Sequence, residues 1–395
     1  MKSKLKILIT SEVYPPIITG SGIAVTRLAE GLAGRGHDVA VVCPGKSIRG
    51  EVTFESGVAV YRLSSLRLSG FFNNQLRISP FPKKALAGIF KELTPDVVHI
   101  TDHHFISSAA FLLAQKNNIK TTGTNFFTPY NWLDNLPIRK NSRIYKIAAK
   151  FLWQYFVKLY NKVDTVTVPT FFSKKQAQEV GIKKPPEVIS CGIDLKQYNS
   201  GQTDKNIFSK YKIKENKFTL LSVCRLDKEK RVDVLLGAAS LLKDKKDFQF
   251  IITGRGQEKE NLTRLVMEKN LSERVIFTGV VSDIDLKNLY KISDIFLTAS
   301  EVELQGLSIM EAMASGLPVI AANSMAIPEL VHDGFNGFLF EPGEALDAGE
   351  KLLMLASDKD LIRKMSLASH ELISEHSMEI TLDRFEEIYY KNLAQ

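Results

Sequence analysis

Cysteine is scarce in this chain: Cys43, Cys191 and Cys224 are the only three in 395 residues, far apart and with no CxxC pair. Neither a disulfide framework nor a structural zinc site is indicated, and a reducing cytoplasmic setting is the default expectation. Long apolar runs are also missing. No uncharged stretch reaches the roughly 18 residues a membrane-spanning helix needs, and the nearest, 147–160, is broken by Lys150, Gln154 and Lys158. The apolar start at 7–10 is too short for a signal-peptide core and runs into Ser11, Glu12, Pro15 and Pro16, so export is not expected. Low-complexity tracts and fixed-period repeats are absent. With 44% hydrophobic and 24% charged residues, disorder as the main state is excluded.

Acid is what the first half lacks. Residues 1–180 carry 24 Lys and Arg against 11 Asp and Glu, whereas residues 181–395 carry 28 against 33, so a net charge of +8 divides into +13 and −5. The first half is therefore expected to meet something anionic, with nucleic acid, a membrane surface and a phosphorylated substrate all open on charge alone. No RNP, zinc-finger or helix-turn-helix signature accompanies the charge, which argues against nucleic acid.

A chain of this length exceeds what one hydrophobic core serves, so two cores are expected. Short runs rich in Val and Ile at 4–10, 38–44, 96–101, 119–124 and 165–169 read as buried parallel strands. Helical patterns such as 23–34 and 107–116 separate them. The second half repeats this grammar with strands at 218–223, 248–254, 274–279, 294–300 and 317–322 and helices at 232–242 and 309–315. Strand alternating with helix predicts two doubly wound, Rossmann-like α/β domains in tandem. The Lys183-Lys184-Pro185-Pro186 stretch suits the link, because proline excludes helix there.

Three runs carry chemistry. After the first strand, Tyr14-Pro15-Pro16 leads to Gly20, Ser21 and Gly22 at a helix start, where backbone amides can approach an anion; a purely structural glycine turn explains this run equally well. Residues 222–231 leave a strand end and hold Arg225 and Lys230, fixed cations able to stabilise a departing diphosphate without a metal. Taken alone, such a run is more often a solvated charge cluster. Most informative is 300–319, where Glu303 and Glu311 flank Gln305-Gly306-Leu307-Ser308. Each carboxylate can accept two hydroxyl hydrogen bonds, which suits a sugar ring and a ribose, with loop and helix-start amides facing the phosphates between them.

Together with Arg35-Gly36-His37-Asp38-Val39, Pro95-Asp96-Val97-Val98-His99, Cys191-Gly192-Ile193-Asp194, Pro328-Glu329-Leu330-Val331 and 334–339, these runs stand in the order found in one family. The chain resembles the retaining nucleotide-sugar glycosyltransferases of family 4, over nearly its whole length. That resemblance implies the GT-B fold: two Rossmann-like domains whose parallel sheets face a central cleft. The expected organisation is an acceptor-binding domain at 1–182, a nucleotide-sugar-binding domain at 183–377 and a C-terminal helix at 378–395 packing back on the first domain. Arg225 and Lys230 would bind the donor diphosphate, Glu303 the donor hexose and Glu311 the ribose, while Gly279 would meet the base through backbone atoms. A UDP- or GDP-sugar would be the co-substrate, with no obligatory cofactor and no metal. The family mechanism is front-face, so Glu303 would position and stabilise rather than attack, and the two glutamates are not a glycosidase pair.

In many relatives the segment matching 123–128 contains a histidine at the active-site edge; here Phe126 or its neighbour stands in its place. His103, His104 and Asp102 are the candidates to replace it, His103 as a catalytic residue and the others on the acceptor side. On that side, too, 135–163 holds Arg139, Lys140, Arg143, Lys146, Lys150, Lys158 and Lys162 and no acid, interleaved with Ile144, Ile147, Phe151, Trp153 and Tyr155. Arg139, Arg143, Lys146 and Lys150 share a helical face, as in an interfacial helix on anionic lipid. A core helix with a basic solvent face fits the pattern equally well.

The leading expectation is transfer of a hexose to a lipid or lipid-linked acceptor hydroxyl, by a protein lying peripherally at the inner membrane face. A soluble-acceptor transferase making a disaccharide or polysaccharide is the rival. A donor-binding protein without turnover is a third reading, motivated by Phe126; a GT-B epimerase matches the 300–319 run less well.

Overall fold

The computed structural model describes residues 3–17, 19–47, 50–67, 77–129, 133, 142–199 and 204–395. It resolves into two compact units: Met1–Gly192 together with Met378–Gln395, and Ile193–Ser377.

The first unit is built on an eight-stranded sheet. Its strands are β1 (Lys6–Thr10), β2 (Asp38–Pro44), β3 (Glu51–Glu55), β4 (Val58–Leu63), β7 (Val97–Ile100), β8 (Lys120–Thr124), β9 (Thr165–Val168) and β10 (Glu187–Val188), in the order β10-β9-β8-β7-β1-β2-β4-β3. A separate two-stranded ribbon pairs β5 (Leu66–Arg67) with β6 (Arg77–Ile78). The central strands are apolar on both faces because helices cover both, so Ile7, Leu8 and Ile9 are all buried. Among the described strands of the eight-stranded sheet only the edge hairpin β3–β4 is antiparallel; its half-polar alternation reflects one wet face. The sequence patterns at 51–63 are short and interrupted, and no strand was expected there.

The unit boundary falls ten residues beyond the expected one. Pro185 and Pro186 lead into β10, which pairs with β9 as the edge of the first sheet, and the division comes at Gly192/Ile193. Proline is tolerated just before an edge strand, so this pair marks a strand entry rather than a domain link.

The helix Met378–Leu393 belongs to the first unit. Its Leu382, Phe385, Ile388 and Tyr389 share one cluster with Ile7, Ile9, Val25 and Leu28. Gly31 lets the helices meet: a Cβ there would stand 2.8 Å from Leu382 Cδ1. His99 is buried on this side, with Nδ1 2.7 Å from the Tyr389 hydroxyl and Nε2 2.6 Å from Thr124 Oγ1.

The second unit carries a six-stranded, wholly parallel sheet of β11 (Phe218–Val223), β12 (Phe248–Thr253), β13 (Val275–Gly279), β14 (Ile295–Thr298), β15 (Val319–Ala322) and β16 (Gly337–Phe340), ordered β13-β12-β11-β14-β15-β16. The chain runs outward from β11 through β12 and β13, then returns to place β14 on the other side. That reversal makes the carboxyl ends of β11 and β14 the switch point where open α/β sheets take their ligands. No helix among the described residues is long and apolar enough to cross a membrane.

Candidate functional site

Arg225 and Lys230 leave β11, and Ser300 to Glu303 leave β14, so the switch point of the second unit holds the residues expected there. Lys230 Nζ donates to Glu303 Oε1 at 2.6 Å and to Ser300 Oγ at 3.1 Å. Arg225 pairs with both Asp227 and Glu229. Burial works against the charge on Lys230, but Glu303 and Glu229 outweigh it and hold its pKa above the usual lysine value. Glu229 is buried and its carboxyl is pushed up, with Lys230 and Arg225 only partly opposing the loss of water. Arg225 is thus paired with carboxylates of its own loop, and Lys230 with one from the loop after β14.

The two loops are tied at several points. The Glu301 amide donates to the Glu229 carbonyl at 3.1 Å, and Arg231 Nη1 donates to Glu301 Oε1 at 2.6 Å. Arg231 adopts φ +45°, in the left-handed region, which costs about 1 kcal/mol for a residue with a side chain. Its pairs with Glu301 and with Asp233 at 3.0 Å oppose that cost. The Glu303 carbonyl accepts the Ala326 amide at 3.3 Å, so the loop after β15 also fixes this glutamate. Close backbone approach completes the floor. A Cβ on Gly254, at φ +130°, would lie 1.9 Å from the Cys224 carbonyl oxygen, and one on Gly256 would lie 2.1 Å from that of Leu226.

Gly306, at φ +87°, opens the helix Leu307–Ala314. Gly306 is its N-cap, with Leu307 and Ser308 as its first two residues, and a helix start of this kind favours a phosphate. Glu311 lies one turn further, buried, and its Oε2 accepts the Tyr290 hydroxyl at 3.0 Å. Gln305, the residue before Gly306, is also buried. The Gly279 carbonyl accepts the Gly254 amide at 2.9 Å, which joins the ends of β12 and β13. Sequence reasoning passed over Asp227, Glu229, Arg231, Glu301 and Tyr290. The first four sit inside the quoted runs but read as solvated charge: the local pairs of Arg225 with Asp227 and Glu229 look the same in sequence whether buried or not, and the pair of Arg231 with Glu301, 70 residues on, has no local signature.

On the first unit, Gly20, Ser21 and Gly22 start the helix Gly20–Gly34. Thr19 caps it and takes the Gly22 amide at 3.0 Å, so that N–H is committed within the protein. His103 does not suit the catalytic role expected of it. Its ring is buried 4.4 Å from that of Phe127, with Tyr155 and Phe156 around it, and burial pushes its pKa down to about 3, which makes it a weak base. Asp102 accepts backbone amides from Glu12 at 2.8 Å and from His104 at 2.9 Å. Phe126 packs, half-buried, against the cluster around Tyr14 and Val25.

Arg139 and Lys140 lie outside the described residues. Arg143, Lys146 and Lys150 are exposed on the helix Arg143–Tyr160, whose Tyr145, Ala149, Trp153, Phe156 and Tyr160 form the inner face. The outer face is not simply basic: Ile144, Ile147 and Phe151 are 68%, 59% and 69% exposed. A helix with a plain solvent face has no reason to carry three large apolar side chains there.

Among the described residues no cluster of metal-ligating side chains occurs. The three cysteines are free. Burial pushes the thiols of Cys43 and Cys191 up to about 12 and that of Cys224 to about 11. Because the thiolate is the reactive form, native protein is expected to resist iodoacetamide at pH 7.5 at all three positions. Raising the pH should label half-buried Cys224 first. Peptide mass spectrometry reads both outcomes.

Residues 18–197 match the family model described as Glycosyltransferase Family 4, and residues 203–371 match Glycosyl transferases group 1. The chain is 29% identical over 393 residues to an alpha-monoglucosyldiacylglycerol synthase of Acholeplasma laidlawii, covering 98% of this chain and 96% of that protein. It is 27% identical to an N-acetyl-alpha-D-glucosaminyl L-malate synthase of Bacillus anthracis, covering 98% and 97%. Among solved structures, a glycosyltransferase from Rickettsia africae superposes with a TM-score of 0.77 at 22% identity, covering 99% of each chain. An Anabaena protein in complex with UDP and glucose gives 0.76 at 18% identity, covering 97% of this chain and 99% of that one.

Proposed function

Since the chain belongs to the glycosyltransferases of family 4, with the GT-B fold, we propose that it transfers a hexose from a UDP- or GDP-sugar to an acceptor hydroxyl on a lipid, with retention of configuration. The observation that carries this reading is Lys230 Nζ held 2.6 Å from Glu303 Oε1 at the switch point of the second sheet. That juxtaposes the cation a departing diphosphate needs with the carboxylate a hexose hydroxyl needs. As the bond to the sugar lengthens, charge grows on the diphosphate and Arg225 and Lys230 stabilise it. The departing oxygen takes the acceptor proton from the same face, so no protein nucleophile is required. The protein's cations perform the neutralisation, and no cofactor or metal is part of the scheme.

The outer face of the helix Arg143–Tyr160 supports a lipid acceptor. Ile144, Ile147 and Phe151 enter the headgroup region while Arg143, Lys146, Lys150 and Lys158 meet anionic phosphate. The excess of +13 over residues 1–180 acts in the same sense.

The test incubates the protein with labelled UDP-glucose or GDP-mannose, diacylglycerol in anionic vesicles and a mixture of aqueous acceptors, with and without EDTA. Label in the lipid extract, unchanged by EDTA and with retained configuration, is expected. Label confined to water would replace the lipid proposal by the soluble-acceptor one. In a vesicle sedimentation assay, Lys146→Glu with Lys150→Glu should weaken binding by more than about tenfold, at roughly 1 kcal/mol per lysine near such a surface. Phe151→Glu should do likewise. Binding unaffected by either change would remove this helix from the membrane contact.

A further inference from the structure

The helix Leu307–Ala314 follows the loop after β14 and carries Glu311 one turn beyond its start. A helix start favours a phosphate. In a nucleoside diphosphate the group joined to the phosphates is the ribose, whose two neighbouring hydroxyls can both donate to one carboxylate. Such a pair of bonds forms only when the carboxylate is held in a narrow range of orientations, and a glutamate side chain has several torsions to fix.

Tyr290 supplies that restraint. It lies at the end of the helix Asp283–Lys291, and its hydroxyl donates to Glu311 Oε2 at 3.0 Å and to the Ser308 carbonyl at 3.2 Å. The two acceptors stand three residues apart, on one face of the helix Leu307–Ala314. The bond to the carboxylate is the stronger of the two in kind, because its acceptor can carry charge.

The phenol is itself held rigidly. Tyr290 is fully buried, its ring 6.1 Å from that of Tyr198 and 5.9 Å from that of Phe296. It shares a cluster with Ile309, Met310 and Met313, which belong to the same helix as Glu311. Packing on that helix fixes the hydroxyl relative to the backbone that carries the carboxylate. A phenylalanine would fill the same space without the cost of burying a hydroxyl. Core packing therefore accounts for the ring of Tyr290 and leaves its hydroxyl to be explained by what it holds.

We propose that Tyr290 is the positioning residue for the ribose of the donor: by holding Glu311 Oε2 it sets the carboxylate for the two ribose hydroxyls, and it thereby makes the protein select ribonucleotide over 2′-deoxyribonucleotide donors. This rests on the glycosyl-transfer reading above. The phenol acts through Glu311 and touches no substrate.

The test titrates UDP, GDP and their 2′-deoxy analogues calorimetrically into wild type, Tyr290→Phe, Glu311→Ala and the double variant. Wild type should bind the ribonucleotide about tenfold or more tightly than its deoxy analogue, the worth of one hydrogen bond to a charged group. Tyr290→Phe should weaken the ribonucleotide by about tenfold and the deoxy analogue by no more than about twofold, so that the preference collapses. Unchanged deoxynucleotide binding shows that this variant is folded. In the Glu311→Ala background, where no carboxylate is left to position, Tyr290→Phe should change neither affinity by more than about twofold. In transfer assays the donor KM should rise while kcat at saturating donor stays within about threefold, because the ribose lies away from the bond that breaks. Equal weakening of both nucleotides by Tyr290→Phe, or effects of the two substitutions that simply add, would reduce Tyr290 to a core residue and overturn the proposal. Wild type that binds the two nucleotides equally would also overturn it, and sugar transfer that depends on Glu303 would then leave the transfer reading standing. Wild type that neither binds UDP or GDP nor transfers sugar would sink both.

Discussion

Lys230→Ala is expected to lower the turnover of sugar transfer by about 10²- to 10³-fold, the range seen when one preorganised group facing developing charge is removed. The geometry argues for the upper part of that range. Lys230 is the cation shared by Glu303, at 2.6 Å, and Glu229, at 3.9 Å. Its removal deletes positive charge from the diphosphate site and also leaves two carboxylates, one of them buried, facing an incoming dianion. Donor affinity should therefore fall together with turnover. Glu303→Ala should differ: it frees Lys230, so diphosphate binding is kept or strengthened while transfer of the hexose is lost. Single-turnover kinetics with calorimetric UDP titration separates the two patterns. Lys230→Ala turning over within about threefold of wild type would mean that the charge of the leaving group is met elsewhere.

Phe385→Ala is expected to destabilise the first unit by about 3–5 kcal/mol, the usual cost of emptying a buried phenylalanine site. Phe385 is 3% exposed and shares a cluster with Ile7, Ile9, Val25 and Leu28, and its ring lies 5.3 Å from that of buried His99. Although the sequence places Phe385 beyond the whole of the second unit, the damage should appear in the first. Urea unfolding followed by Trp153 fluorescence, a first-unit signal, should shift to lower midpoint. Binding of the nucleotide, UDP or GDP, that the proposed donor site takes should persist at urea concentrations where that signal has already changed. A shift confined to the nucleotide-binding transition would place the C-terminal helix in the other unit.

The sheet strands and the main site loops were readable in advance because their signals are local. Buried parallel strands announce themselves as short apolar runs, and Arg225, Lys230, Glu303, Gly306 and Glu311 lie on the loops and helix start that follow them. Other features left less trace. The hairpin β3–β4 is half-polar and short, and the proline pair before β10 gives the same local signal for an edge-strand entry as for a domain link. His103 looked like a candidate base in the sequence because a histidine after a strand says nothing of the Phe127, Tyr155 and Phe156 rings that enclose it. Glu12 looked like no more than a polar break after an apolar run.

By itself the sequence determined two α/β sheets, the loops that end their strands and an uneven charge between its halves, since each of these follows from residues near one another in the chain. Only the tertiary structure decided which groups meet. Strand order sets Lys230 against Glu303, 73 residues on, Glu12 beside Asp102, 90 residues on, and Tyr389 against His99, 290 residues away. Those pairings fix which charges are neutralised and which carboxyl is pushed up by burial and a neighbouring carboxylate. They depend on where each strand is inserted in its sheet, and a run of residues carries no record of its neighbours across the sheet.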